Sequence, residues 1–156
     1  MGEIFTNWSM AFIHHLAAFG LVATLVYEFI LIRKPFSQKT AQSLLDTDQL
    51  YGLFAMVILI VGFVRVFHFE KGEAYYFSSA PFLVKVSLFG LVGILSMYPT
   101  LKFISWRKAL KQNQLPQVSA ASLAAIRHII HIELAALVGI ILCAAMMAKG
   151  VGYFGS

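Results

Sequence analysis

Four long apolar stretches separated by short polar ones dominate the chain. They cover about 10–32, 49–67, 81–104 and 121–148, each as long as a bilayer span requires. Inside hydrocarbon a backbone must satisfy its own hydrogen bonds, so these stretches predict helices. Four strands would be too few to close a membrane barrel. The connections are short. The segment 33–48 holds Pro35 and Ser37, and 102–120 holds Pro116. The segment 68–80 runs into Pro81, a residue suited to the first turn of a helix. Such connections force neighbouring spans to run antiparallel. The expected fold is therefore an all-α integral membrane protein: one four-helix domain over 1–156, in an up-down-up-down bundle. No internal repeat or low-complexity tract interrupts it.

Composition agrees with a surface that faces lipid. The chain is 60% hydrophobic and 12% charged, with a mean hydropathy of +0.80. Soluble domains carry roughly 25% charged residues. The first span is not expected to be a cleavable signal peptide, since it lacks a basic start and its apolar stretch is too long. The lone cysteine, Cys143, sits in an apolar run, which excludes a disulfide framework and a cysteine-built zinc site.

The net charge of +5 lies mostly in two connections, which points to a membrane surface and away from nucleic acid. Arg33, Lys34 and Lys39 occupy the first connection; Lys102, Arg107, Lys108 and Lys111 occupy the third. Only Lys71 and Lys149 lie on the other side. Lysine and arginine stay cytoplasmic, so both termini are expected outside.

Several polar residues stand inside the spans, where charge is expensive and faces the bundle interior. His14, His15 and Glu28 are in the first, Arg65 in the second with His68 just beyond, and Lys85 in the third. Arg127, His128, His131 and Glu133 are in the fourth. Depth groups His14, His15, Arg65, His68 and Lys85 in the outer half, and the remainder with Asp48 towards the inner end. Adjacent residues of a helix point about 100° apart, so only one of His14 and His15 can face the axis. His14 shares a face with Glu28 and is the one favoured.

Each residue also has a plainer reading. Arg65 and Lys85 can snorkel to the interface. His68 can be a loop residue, and His128 and His131, one turn apart, a structural pair. Glu28 can pair with a cation or histidine of the fourth span, Arg127 above all, or carry protons. Asp48 can cap the second helix. Ala135, Gly139 and Cys143, four residues apart, suit close helix packing. Together, however, imidazoles near the axis of a four-helix bundle are a usual way to hold a b-type haem. Cations nearby could neutralise propionates or an anionic substrate.

Two stretches carry a resemblance. One is 14–19, with His14, His15 and Phe19. The other includes Tyr51, Gly52, the run 62–66 with Arg65, Glu70, Lys71, Gly72, Tyr75, Tyr76, the run 82–85 and the run 96–100. Over most of its length the chain resembles a small bacterial membrane family of unknown function. More distantly it is similar to the HemJ-type protoporphyrinogen oxidases, which have a histidine early in helix one and a lysine early in a later helix. His14 or His15, and Lys85, match those places. The second histidine, Glu28 and 96–100 depart from the pattern.

The resemblance implies a bacterial inner-membrane protein binding a b-type haem, with the histidine of helix one, His14 or His15, as an axial ligand. His14 is the expected metal ligand, and the placement of His15, His68, His128 and His131 in or beside the spans makes them further candidates around the cofactor. Lys85, Arg65 and Glu28 are the expected catalytic residues. The expected function is a haem-binding oxidoreductase that acts on a tetrapyrrole or passes electrons to quinone. The alternative is a small transporter or channel subunit with a buried ion-pair or proton relay and no cofactor. A purely structural subunit is a third reading, and the oligomeric state, a homo-oligomer included, is left open.

Overall fold

A computed structural model describes residues 2–69 and 76–155, without the side chains of 2–7, 68 and 69. The chain forms four long helices: α1 (Gly2–Leu31), α2 (Gln38–Val64), α3 (Ala80–Lys111) and α4 (Ala120–Ala148). A short π-helical turn, Arg65–Phe69, continues α2. All four helices contain stretches long and apolar enough to cross a membrane, and no strand is present among the described residues. The expected all-α membrane fold is the fold observed.

The helices outrun the apolar stretches, for local reasons. α2 starts at Gln38 because Ser37 adopts an extended backbone and its hydroxyl accepts from the Thr40 N–H at 3.1 Å. The segment 38–48, expected to be connection, is thus amphipathic helix: Ala41, Leu44 and Leu45 are buried while Gln42 and Asp46 face out. α3 begins with Pro81 in its first turn, as expected, and runs to Lys111. α4 is capped by Ser119, whose hydroxyl accepts from the Ser122 N–H. After α4 the chain turns back on glycines of positive φ, Gly150 and Gly152. Gly152 accepts from the Ala80 N–H at 3.0 Å, and the Phe154 N–H donates to Ser78 at 2.9 Å, which ties the C-terminal segment to the start of α3. A Cβ on Gly152 would stand 2.8 Å from the Pro81 ring.

α1 packs along α2, and α3 along α4; the two hairpins then meet through α2–α3 and, over a shorter stretch, α1–α4. Small residues set the close approaches. Phe54 of α2 lies over Gly20 so tightly that a Cβ there would stand 2.6 Å from its ring. Gly139 of α4 faces Leu88 of α3 in the same way, at 3.1 Å. Cys143, one turn on, is buried, whereas Ala135 is exposed, so the expected small-residue stripe packs only in part. The core gathers towards the end that carries the basic connections, here called the basic end. Leu21, Leu25, Leu44, Phe103, Trp106, Ile126 and Ile130 fill it. There the Trp106 ring packs against Phe103 and Phe36 at centroid distances of 5.0 and 5.4 Å. Between helices in lipid, such packing and interhelical hydrogen bonds supply the attraction that water supplies elsewhere.

Candidate functional site

Polar side chains from all four helices meet in one layer within this core. Glu28 comes from the last turn of α1, Asp48 and Tyr51 from α2, Ser96 and Thr100 from α3, and Glu133 from α4. Asp48 and Tyr51 share a face because they are three residues apart, and Ser96 and Thr100 because they are four apart. Pro99, buried between the last two, offers no N–H back to Leu95, so the layer sits where the α3 backbone ladder is interrupted.

The layer is dry. Glu133 is 1% exposed, Glu28 2%, Asp48 4% and Tyr51 4%. Asp48 accepts from the Thr100 hydroxyl at 2.7 Å and lies in the field of Arg107. Tyr51 is hydrogen-bonded with Ser96. The two glutamates have no such support: Oε1 of Glu28 and Oε1 of Glu133 are buried without a hydrogen-bond partner. Glu28 interacts electrostatically with Asp48 and Glu133, and Glu133 with Asp48. Three carboxyl groups therefore face one another across three helices. A buried carboxylate lacking donors is costly, about 1–3 kcal/mol even by mutational scales.

This corrects two expectations. Glu28 does face protein, but α4 offers it the carboxyl of Glu133 rather than a cation. Arg127 is exposed, and its guanidinium donates instead to the Ile32 carbonyl at 3.4 Å. Asp48 does not cap α2; Ser37 does, ten residues earlier, and Asp48 is an interior residue.

At the rim of the layer, on the basic end, stands His131. Its Nδ1 is hydrogen-bonded with the Arg127 carbonyl, and its Nε2 with an Arg33 guanidinium N–H at 3.2 Å. Arg33 in turn lies 3.8 Å over the Phe29 ring, and Phe29 meets the His131 ring edge-on at 4.8 Å. His128 is exposed, and no contact joins it to His131, so the two do not form the pair considered above.

The other expected site residues lie at the far end of the bundle. His14 is half-buried and points at α2, its Cε1 being 3.6 Å from where a Gly62 Cβ would stand. His15 is exposed, its Nδ1 bonded to the Ala11 carbonyl, and its ring is edge-on to His14 at 6.1 Å. His14 is thus the inward member of the pair, as expected. Arg65 is half-buried in the turn that packs against α1, one turn past Gly62. Lys85 is half-buried in the second turn of α3. The side chain of His68, together with Glu70, Lys71, Gly72 and Tyr75, lies outside the described residues. Among the described residues no group of three or more His, Cys, Asp or Glu side chains is disposed to hold a metal ion.

Sequence reasoning missed Tyr51, Ser96 and Thr100 as partners of the acidic layer. The available signal was helical spacing: Tyr51 follows Asp48 by three residues, and Ser96 and Thr100 flank a proline inside a span.

Over residues 6–152 the chain matches the family described as predicted membrane protein (DUF2214), and it belongs to that family. No curated protein and no solved structure matches it. The likeness to HemJ-type enzymes therefore rests only on the residues that suggested it.

Proposed function

We propose that this member of the predicted membrane protein family is a proton-handling membrane protein, a small transporter or channel subunit, whose buried carboxyl layer takes up and releases protons. One observation carries the reading: Glu28 and Glu133, 2% and 1% exposed, each keep a carboxyl oxygen without a donor inside a four-helix core. A structural role would be served by a donor for each oxygen, as Thr100 serves Asp48. Ionisable residues within spans mark ion pathways and proton relays, and here they converge from three helices. Asp48, hydrogen-bonded by the Thr100 hydroxyl, is the fixed member. Glu28 and Glu133 are the members free to exchange a proton, and Tyr51 with Ser96 lines the far side. Lysine and arginine asymmetry supports a cytoplasmic basic end, and the layer lies nearer that end of the bundle.

The test is infrared difference spectroscopy of the purified protein in nanodiscs through a pH titration. The expected result is a carbonyl stretch of protonated, donor-poor carboxyl groups that weakens in Glu28→Gln and in Glu133→Gln and is lost in the double variant, which keeps only the bands of Asp48 and of the exposed carboxyls. A spectrum identical in wild type and double variant would refute the reading.

A second reading is the haem-binding oxidoreductase of the resemblance, and the placement of His14 favours it. Its ring is turned towards α2, beside Gly62. The histidines of α4 lie at the opposite end of the bundle, so they offer no second ligand there. A b-type haem, when bound, supplies one-electron redox chemistry. His14 would hold the iron, and Arg65 and Lys85 would hold acidic groups of the cofactor or of a tetrapyrrole. An absorption spectrum of the pure protein decides it: a Soret band that is lost in His14→Ala supports this reading, and a colourless protein ends it.

A further inference from the structure

We infer that Arg33 and His131 form a proton-sensitive clasp over the mouth of the carboxyl layer, joining α1 to α4 when His131 is neutral and releasing them when it is protonated. This deepens the reading of the layer as a proton site and rests on it for its purpose.

The argument is one of donors and acceptors. The Arg127 carbonyl can only accept, so Nδ1 of His131 carries the ring proton. Nε2 is then the acceptor, which suits the Arg33 N–H facing it at 3.2 Å, since a guanidinium only donates. A second proton on the ring would put N–H against N–H and cation against cation. The contact exists only for the neutral ring.

Its position gives it leverage. α1 and α4 meet over a shorter stretch than α1 and α2 or α3 and α4. Polar links across that seam include Arg33 to His131, and Arg127 to the Ile32 carbonyl at a long 3.4 Å. The clasp also holds Phe29, which follows Glu28 in the chain, edge-on against His131, which precedes Glu133 by two residues. The clasp therefore sits on the α1–α4 seam at about the level of the two glutamates, whose side chains turn inward while His131 faces out. The charged group in contact with the ring is Arg33 from the connection; Arg127, His128 and Glu133 are its neighbours along its own helix, and Glu28 precedes the Phe29 that packs on it. Among the described residues neither α2 nor α3 brings a titratable side chain into contact with the ring. Acidification at the basic end would loosen the seam and admit water to the glutamates, so the same proton that is cargo also opens the way.

The test measures the seam. In a Cys143→Ser background, spin labels at Lys34 and Ala124, both exposed, report the α1–α4 separation at the basic end in nanodiscs. Spectra are compared at about pH 8 and about pH 5. The expected result is a narrow distance distribution at the higher pH and a longer, broader one at the lower. With His131→Gln, which keeps an acceptor but cannot take a proton, it stays narrow at both. A wild-type distribution that does not change, or a change that persists undiminished in His131→Gln, would overturn the clasp. The infrared carboxyl band is a separate readout: a seam that opens while that band is absent keeps the clasp and refutes the proton site behind it.

Discussion

Replacing the buried glutamates by glutamine should stabilise the protein. Loss of a native buried side chain ordinarily costs stability, and a carboxylate removed from a salt bridge costs about 3–5 kcal/mol by leaving its partner uncompensated. Here no cationic partner would be stranded: Oε1 of each glutamate lacks a donor, and the charges that act on Glu28 are two further carboxyls. Glu28→Gln keeps shape and volume, removes one member of the repelling set, and supplies an amide N–H that can donate to Glu133. One hydrogen bond gained is worth about 1 kcal/mol, and an unsatisfied buried group relieved about 1–3 kcal/mol. A net gain of about 1–2 kcal/mol is expected for Glu28→Gln, with a similar gain for Glu133→Gln. The two effects should not add, since each single change already relieves the shared repulsion. Asp48→Ala should gain less than either glutamate change, because relief of the repulsion is offset by about 1 kcal/mol for the stranded Thr100 hydroxyl. Equilibrium unfolding in mixed micelles of mild detergent and dodecyl sulfate measures all of these at one pH. If Glu28→Gln proves less stable than wild type by more than about 2 kcal/mol, Glu28 has a structural partner and the argument from its missing donor is wrong. The expected pattern, stability gained where function is lost, is the usual mark of a functional site.

Other outcomes follow from single contacts. Gly20→Val should destabilise the α1–α2 hairpin by about 1–3 kcal/mol, because even a Cβ would stand 2.6 Å from the Phe54 ring; the same unfolding assay reads it. Ser37→Ala should cost about 1 kcal/mol by removing the acceptor for the Thr40 N–H, and circular dichroism should show fraying at the start of α2. Single cysteines in a Cys143→Ser background should label from outside at Lys149 and only after permeabilisation at Ser37. The reverse pattern would invert the bundle and place the carboxyl layer near the outer face.

Much of the architecture was legible in the residue pattern because the bilayer imposes it. A chain in hydrocarbon must close its backbone hydrogen bonds within each span, so four apolar stretches could only be four helices. Short connections then left one antiparallel arrangement. The sequence also exposed Glu28, Glu133 and the histidines as residues out of place. It misplaced the start of α2, because Pro35 and Ser37 read as loop while Ser37 in fact caps a helix whose first three turns are amphipathic. Partnership was decided by tertiary structure alone. Whether Glu28 meets Arg127 or Glu133 depends on a rotation of α4 that moves a side chain about 100° per residue, and no apolar pattern fixes a rotation that closely. The same rotation hides Asp48 against Thr100, leaves Arg127 at the surface, and sets His131 rather than His128 beneath Arg33. A span that is apolar nearly all round carries little record of which side faces its neighbours, so the site is written in packing and the fold in composition.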